Sequence, residues 1–337
     1  MVKRLRVLLA VGLVSALALV VSCSGQPGPE STQAEPEGKR FQIAVIPKAT
    51  AFTFWKAIHA GAAKAADELD VDIIWMGPST EGERRQQIEV VQNFISLGVD
   101  AIVLAPLDDV ALVRPVEAAV KRGIAVVIID SGLKSDVQAS FVATDNREGG
   151  RMGARRLAEV MGAKGKVILL RYLEGSASND QREDGFLEEL EANYPAIEIL
   201  SSNQYAGATK QSAFEASQNL LNKYGDEVDG IFCPNEPVTF GMMRALDTSK
   251  RAGKIKFVGF DSGEGLIKGM RGGSIHGLVV QDPFGMGYQG VKTAVEVLQG
   301  NEVEKRIPTR VVTITPENLD SPQIQALISP EMEASRE

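Results

Sequence analysis

QIAVIPKATAFTFWKAIHAGAAKAADELDVDIIW, residues 42–75, is the stretch on which the fold turns. It opens with an apolar run at 42–46 that shows no polar alternation. Trp55, Ile58, Ala62, Ala65 and Leu69 then recur at three- and four-residue steps, and a second β-branched run follows at 72–75. Unalternating strands are buried on both faces, whereas steps of three and four place one apolar stripe along a helix. The stretch therefore predicts strand, amphipathic helix, strand, the repeating unit of a parallel sheet covered by helices.

Outward from this unit the pattern continues. Strands are expected at 101–105, 125–129, 141–142, 166–170, 197–201, 230–232, 256–259, 277–280 and 310–314. Segments of helical length lie between most of them. In one, Ile88, Val91 and Ile95 share a face, with Arg84, Arg85 and Glu89 on others. About five such units run from Phe41 to Thr144, and a second set starts at Asp145 without obvious sequence repetition. The expectation is an α/β protein of two doubly wound, parallel-sheet lobes, with ligands held at the carboxyl ends of the strands.

The chain ends read differently. Lys3, Arg4 and Arg6 precede an apolar stretch from Val7 to Val21 broken only by Ser15, which has the form of a secretory signal at 1–22. Val20-Val21-Ser22-Cys23 resembles a bacterial lipobox, which implies lipidation of Cys23; an uncleaved anchor with an incidental cysteine is the other reading. Both place the folded part outside the cytoplasm, in the periplasm or at the cell surface, held to a membrane through the anchor. Residues 23–40, rich in Pro, Gly, Ser, Gln and Glu, read as a flexible tether. Loss of three cations with the signal takes the formal charge from −8 to −11, which argues against nucleic acid and polyanionic ligands. Cys23 and Cys233 are the two cysteines, so no internal disulfide framework is expected; Cys233, in an apolar run, reads as a buried core residue.

Polar and aromatic residues cluster just after the strands. Lys48 and Phe52-Thr53-Phe54-Trp55 follow the first; Asp130 and Ser131 follow 125–129; a loop through 175–178 leads from 166–170 to Arg182. Asn235, Asp261 and Gln281 follow later strands. Each has a plainer role: Phe54 and Trp55 as core, Asp130 and Asp261 as helix caps, Arg182 as a surface charge, Gln281 as a turn residue. Taken together at successive strand ends, they suit a sugar. Its hydroxyls both donate and accept, and its C–H faces pack on aromatic rings.

These same residues carry a family resemblance. Phe54-Trp55 before 61–67, Ile129-Asp130, 143–146 with Gly149-Gly150, Arg182 before Gly185-Phe186, Asn235-Glu236, 258–261, and Gln281 before Gly290 are similar, in order, to the ribose-type periplasmic sugar-binding proteins. The likeness spans Phe41 to about Asn318. It implies the type I periplasmic binding protein fold, with three crossings between lobes near Thr144, Gln281 and Arg310. The lobes would be 41–144 with 282–309, and 145–281 with 310–320, leaving 321–337 as a tail. It further implies a monomer that binds a small monosaccharide or polyol and delivers it to an ABC transporter permease. Phe54 and Trp55 would sandwich the sugar, and Asp130, Arg182, Asn235, Asp261 and Gln281 would be its polar ligands. Three departures argue against ribose itself. Ser131 stands where ribose binders usually carry arginine, Ala208 stands where a third aromatic is usual, and Lys48 with Ser131 resembles receptors for the furanosyl signal autoinducer-2. A sensor that presents its closed form to a membrane receptor shares the same site and remains open.

No cofactor or metal is expected. Gly285-Met286-Gly287-Tyr288-Gln289-Gly290 fits a dinucleotide fingerprint in letters, but Pro283 and Phe284 intervene and no ribose-binding acid follows; it reads as close helix packing. His59 and His276 lie far apart, which disfavours a metal centre or a Ser-His-Asp arrangement. Glycoside hydrolysis would need two facing carboxyls, a pose open to Asp130 and Asp261, yet a binding protein rather than an enzyme is the expectation.

Overall fold

The computed structural model describes residues 40–329. The expected signal, Cys23 and all of the tether before Arg40 lie outside the described residues. From the first strand the chain alternates as the pattern dictates: β1 (Gln42–Ile46), α1 (Thr53–Leu69), β2 (Asp72–Trp75), α2 (Arg84–Leu97), β3 (Ala101–Leu104), α3 (Val113–Lys121), β4 (Ala125–Ile129) and β5 (Ser140–Thr144). It continues through α4 (Asn146–Met161), β6 (Gly165–Arg171), α5 (Ala177–Asn193), β7 (Ile197–Tyr205), α6 (Lys210–Tyr224), β8 (Gly230–Phe232), α7 (Glu236–Thr248), β9 (Lys256–Phe260), α8 (Glu264–Arg271) and β10 (Gly277–Gln281). It ends with α9 (Pro283–Leu298), β11 (Arg306–Thr309), β12 (Val311–Ile314) and α10 (Pro322–Ile328).

Two six-stranded sheets result, in the orders β11-β5-β4-β3-β1-β2 and β12-β10-β9-β8-β6-β7. All pairings are parallel except β10 with β12. The two orders are the same pattern repeated, so architecture recurs where sequence does not. Each sheet buries aliphatic residues on both faces, and the chain passes from one to the other after β5, after β10 and between β11 and β12.

Three expectations are amended. The strand expected at 310–314 is β12, and a strand that was not expected, β11, precedes it in the other sheet, with Arg310 at the crossing; Pro308 in β11 lacks an N–H and is tolerated because that strand is an edge. The strand expected at 197–201 runs on to Tyr205, with register shifts against β6. The expected tail contains α10, because Ile324, Leu327 and Ile328 at helical spacing pack on the second lobe's core.

The helices sit close enough to fix the site. A Cβ added at Gly61 of α1 would lie 2.0 Å from the Phe284 carbonyl oxygen, and one at Gly287 of α9 would lie 2.0 Å from that of Ile58. Gly61 and Gly287 thus let α9 lie backbone to backbone on α1, the helix that opens with Phe54 and Trp55, while Gly290 lets α9 approach Ile129 and Val103 of the sheet.

Candidate functional site

Asp130 and Asp261 occupy equivalent places in the two lobes. Each is the first residue after the fourth strand of its sheet, and each backbone N–H donates to the adjacent strand: Asp130 to Val142 O at 3.1 Å, Asp261 to Val279 O at 2.8 Å. Both adopt the left-handed backbone region, with φ of 61° and 67°. That conformation is strained for a residue bearing a Cβ and is the kind of cost that clusters at functional sites. Both carboxylates are thereby turned toward the space between the lobes.

A small cavity of about 30 Å³ lies there, far below the ~300–1,000 Å³ typical of small-molecule sites, so the lobes must part to admit a ligand. Eight of the nine candidate residues line it: Lys48, Phe54, Trp55, Asp130, Arg182, Asn235, Asp261 and Gln281. Ser131 does not line it; its Oγ accepts a hydrogen bond from the Ser178 N–H across the lobes at 3.1 Å. Lys48, only 2% exposed, donates to Asp130 Oδ2 at 2.8 Å within its own lobe and to Ser178 Oγ at 3.1 Å in the other. A buried ammonium requires such partners, and here they couple the lobes.

Arg182 is also buried. Its Nε donates to Asn146 Oδ1 at 2.8 Å, its Nη1 to the Pro234 carbonyl at 2.9 Å, and its guanidinium stacks 3.9 Å above the centre of the Phe260 ring. Asp261 accepts from Gln281 Nε2 at 2.7 Å and from the Glu236 N–H at 3.1 Å. Burial pushes Asp261 up to about 6, with Arg182 and Gln281 pulling the other way. Gln281 completes a chain at the crossings: Thr144 Oγ1 donates to its Oε1 at 2.8 Å and lies 3.3 Å from Thr309 Oγ1. Asn235 is both cavity wall and N-cap of α7, its Oδ1 accepting from Val238 N at 3.2 Å.

The aromatics differ from the expected sandwich. Phe54 and Trp55 meet edge to face, 5.0 Å apart and at 89°, so no sugar ring fits between them. Together with Phe52, which lines the same cavity, they form a wall against which an apolar face can pack.

Several lining residues were missed from the sequence. Glu81, in the turn after β2, accepts from Trp55 Nε1 at 2.8 Å and from Tyr172 OH of the other lobe at 2.7 Å. Burial raises both the Glu81 carboxyl and the Tyr172 phenol. Asn179, likewise missed, lines the cavity, and so does Glu236, which the sequence places beside Asn235 after β8. The strand-end rule that singled out Lys48 reaches Glu81 and Tyr172 equally, since they follow β2 and β6. Cys233 is buried in the second core, where burial raises its thiol well above its ordinary pKa.

Residues 43–302 match the model of the family described as "Periplasmic binding protein domain". The chain is 28% identical to the ribose import binding protein of Haemophilus influenzae over 262 residues, which is 78% of this chain and 87% of the relative. It is 28% identical to the D-allose-binding periplasmic protein of Escherichia coli over 272 residues, covering 78% and 86%. Among solved structures, a carbohydrate transporter solute-binding protein of Agrobacterium radiobacter in complex with D-arabinose superposes with a TM-score of 0.83 at 33% identity, covering 86% of this chain and 99% of that one. An ABC transporter solute-binding protein of Agrobacterium vitis with bound D-fucose gives 0.82 at 34%, covering 85% and 99%.

Proposed function

Because the chain belongs to the periplasmic binding protein domain family, we propose that it is the solute-binding component of an ABC-type sugar importer, closing its lobes on a small monosaccharide or polyol. One observation carries the reading: buried Lys48, Asp130, Arg182, Asp261 and Gln281 converge from both lobes on one small cavity that also has an aromatic wall. Buried polar groups in this number serve a ligand whose hydroxyls complete them and whose ring covers the aromatics. Likeness to proteins solved with D-arabinose and D-fucose supports the same class.

Asp130, Arg182, Asn235, Asp261 and Gln281 are assigned as polar ligands, Phe54 and Trp55 as apolar ones. Lys48 joins the lobes as well as the site, whereas Ser131 joins the lobes. The three crossings form the hinge, and a ligand touching both lobes stabilises the closed state by its differential affinity for it. Outside the described residues, Cys23 is assigned as the lipid attachment point of a monomeric, membrane-held protein. Mass spectrometry of the mature N-terminus tests this, and Cys23→Ser is expected to release the protein from membranes.

The experiment for the ligand is a thermal-shift panel of pentoses, hexoses, sugar alcohols and autoinducer-2, since a ligand selective for the folded state raises the melting temperature by mass action. One small sugar or polyol is expected to do so, with Asp130→Ala and Asp261→Ala abolishing the shift. No shift with any sugar or polyol, or shifts unchanged in both variants, overturns the assignment; a shift with autoinducer-2 alone assigns the cleft to that signal.

A further inference from the structure

Glu236 lies at the first position of α7, with only 3% of its surface exposed, and lines the cavity. One carboxylate oxygen, Oε1, accepts from Lys210 Nζ at 2.8 Å. Among the described residues nothing donates to the other, Oε2, although it is buried. A Cβ placed on Gly263 would lie 3.6 Å from Glu236 Oε1 and 4.0 Å from Thr53 Oγ1 of the opposite lobe, so the carboxylate sits where the two lobes approach. Asn179, also 3% exposed, shows a similar division: its Nδ2 donates to Ser176 Oγ at 2.8 Å, while its Oδ1 is buried on the same cavity wall without a partner among the described residues. An amide can present either end, but an ionised carboxylate can only accept. Leaving such an oxygen unpaired in a dry site is costly.

We propose that Glu236, seconded by Asn179, is a ligand-contacting and specificity-determining residue that requires a hydrogen-bond donor from the ligand and rejects sugars bearing an acidic group. The inference rests on the reading of the cleft as a sugar site. Charge around the cavity points the same way. Glu81, Asp130, Glu236 and Asp261 face two lining cations, Lys48 and Arg182, with Lys210 beside Glu236 as a third, and all three cations already hold protein partners. An incoming carboxylate or phosphate would add like charge to this set, whereas a hydroxyl donates to Glu236 Oε2 in a strong charge-assisted bond.

The test is calorimetric titration of the purified full chain with D-allose, D-arabinose, D-fucose, D-galactose, D-galacturonate and D-arabinose 5-phosphate. At least one neutral sugar is expected to bind, with both acidic sugars at least ~100-fold weaker. Glu236→Gln, which turns half of the carboxylate into a donor, is expected to weaken the neutral sugar by roughly tenfold or more and to narrow the discrimination against D-galacturonate by a similar factor. Narrowed discrimination is a readout that a merely structural role would leave unmoved. Should Glu236→Gln fold poorly, Glu236→Asp, which keeps the charge and retracts it, is expected to lose neutral-sugar affinity while still rejecting D-galacturonate. Neutral-sugar affinity unchanged in Glu236→Gln and Asn179→Ala overturns the inference and leaves the sugar reading standing. D-Galacturonate bound as tightly as its neutral counterpart overturns the inference too. Failure of every sugar to bind the unaltered chain overturns the function and this inference together.

Discussion

Arg182 and Glu183 are neighbours on α5 with opposite problems. Arg182 is fully packed yet solvated by protein: Asn146, the Pro234 carbonyl and the Phe260 ring replace its water. Arg182→Ala removes two buried hydrogen bonds and is expected to cost roughly 2–5 kcal/mol of stability in urea unfolding, with a far larger fractional loss of sugar affinity. Glu183, fully buried, accepts from Arg171 Nη1 at 2.6 Å and from the Tyr172 N–H at 2.9 Å, yet burial still pushes it up to about 7 from an ordinary 4.5. The folded state therefore holds this proton more tightly than the unfolded chain. Its stabilising effect is full below pH ~4.5 and is lost as the pH rises through about 7, on the order of 3 kcal/mol across that window. Thermal unfolding from pH 4.5 to 7 is expected to show Glu183→Gln gaining on the unaltered chain as pH rises.

At the scale of elements, Gln87 shows how a helix holds a functional loop. It is fully buried on α2, and its Nε2 donates to the carbonyls of Pro47 at 3.0 Å and Ala105 at 2.8 Å. Its Oε1 accepts from the Leu107 N–H at 2.8 Å. One side chain thus satisfies three backbone groups at the ends of β1 and β3, and the β1 end carries Lys48. Gln87→Leu strands those groups and is expected to cost about 2–4 kcal/mol by denaturant titration, with weakened sugar binding through a displaced Lys48. The glycine crossing of α1 on α9 does the same for the aromatic wall. Gly287→Val drives a side chain into the Ile58 carbonyl and is expected to lower both the melting temperature and the affinity, since α1 must shift.

For the whole molecule the relevant quantity is the balance between open and closed lobes. Among the described residues closure is held by few bonds: Lys48 to Ser178, Ser178 to Ser131, Tyr172 to Glu81, Asn146 Nδ2 to the Asp130 carbonyl at 3.4 Å, and the Asp109 N–H to the Gly175 carbonyl at 3.2 Å. Tyr172→Phe removes one of them and leaves the buried Glu81 carboxyl a partner short. Small-angle scattering is expected to show that variant more expanded without sugar, and to need a higher sugar concentration for the same compaction. A ligand that leaves the radius of gyration unchanged in the unaltered chain would contradict capture by closure.

Sequence periodicity alone determined the α/β class, most of the strand positions and the place of the site. Apolar runs without alternation have only a doubly covered parallel sheet to go to, and the carboxyl ends of such strands are where the chain can present polar side chains. That is why Lys48, Asp130, Arg182, Asp261 and Gln281 were legible as a set. What the tertiary structure decided were matters of partnership across long sequence separations. That 306–309 forms a strand of its own depends on the edge it meets beside β5, in a different sheet from 311–314. Glu81 joins the site because Tyr172 reaches it from the other lobe, 91 residues away in the chain. Ser131 spans the lobes rather than facing the cavity because Ser178 lies opposite it, and the edge-to-face pose of Phe54 and Trp55 excludes a sandwich. Local sequence encodes which faces are buried; it does not encode which buried polar atom finds a donor, and on that difference the assignment of Glu236 depends.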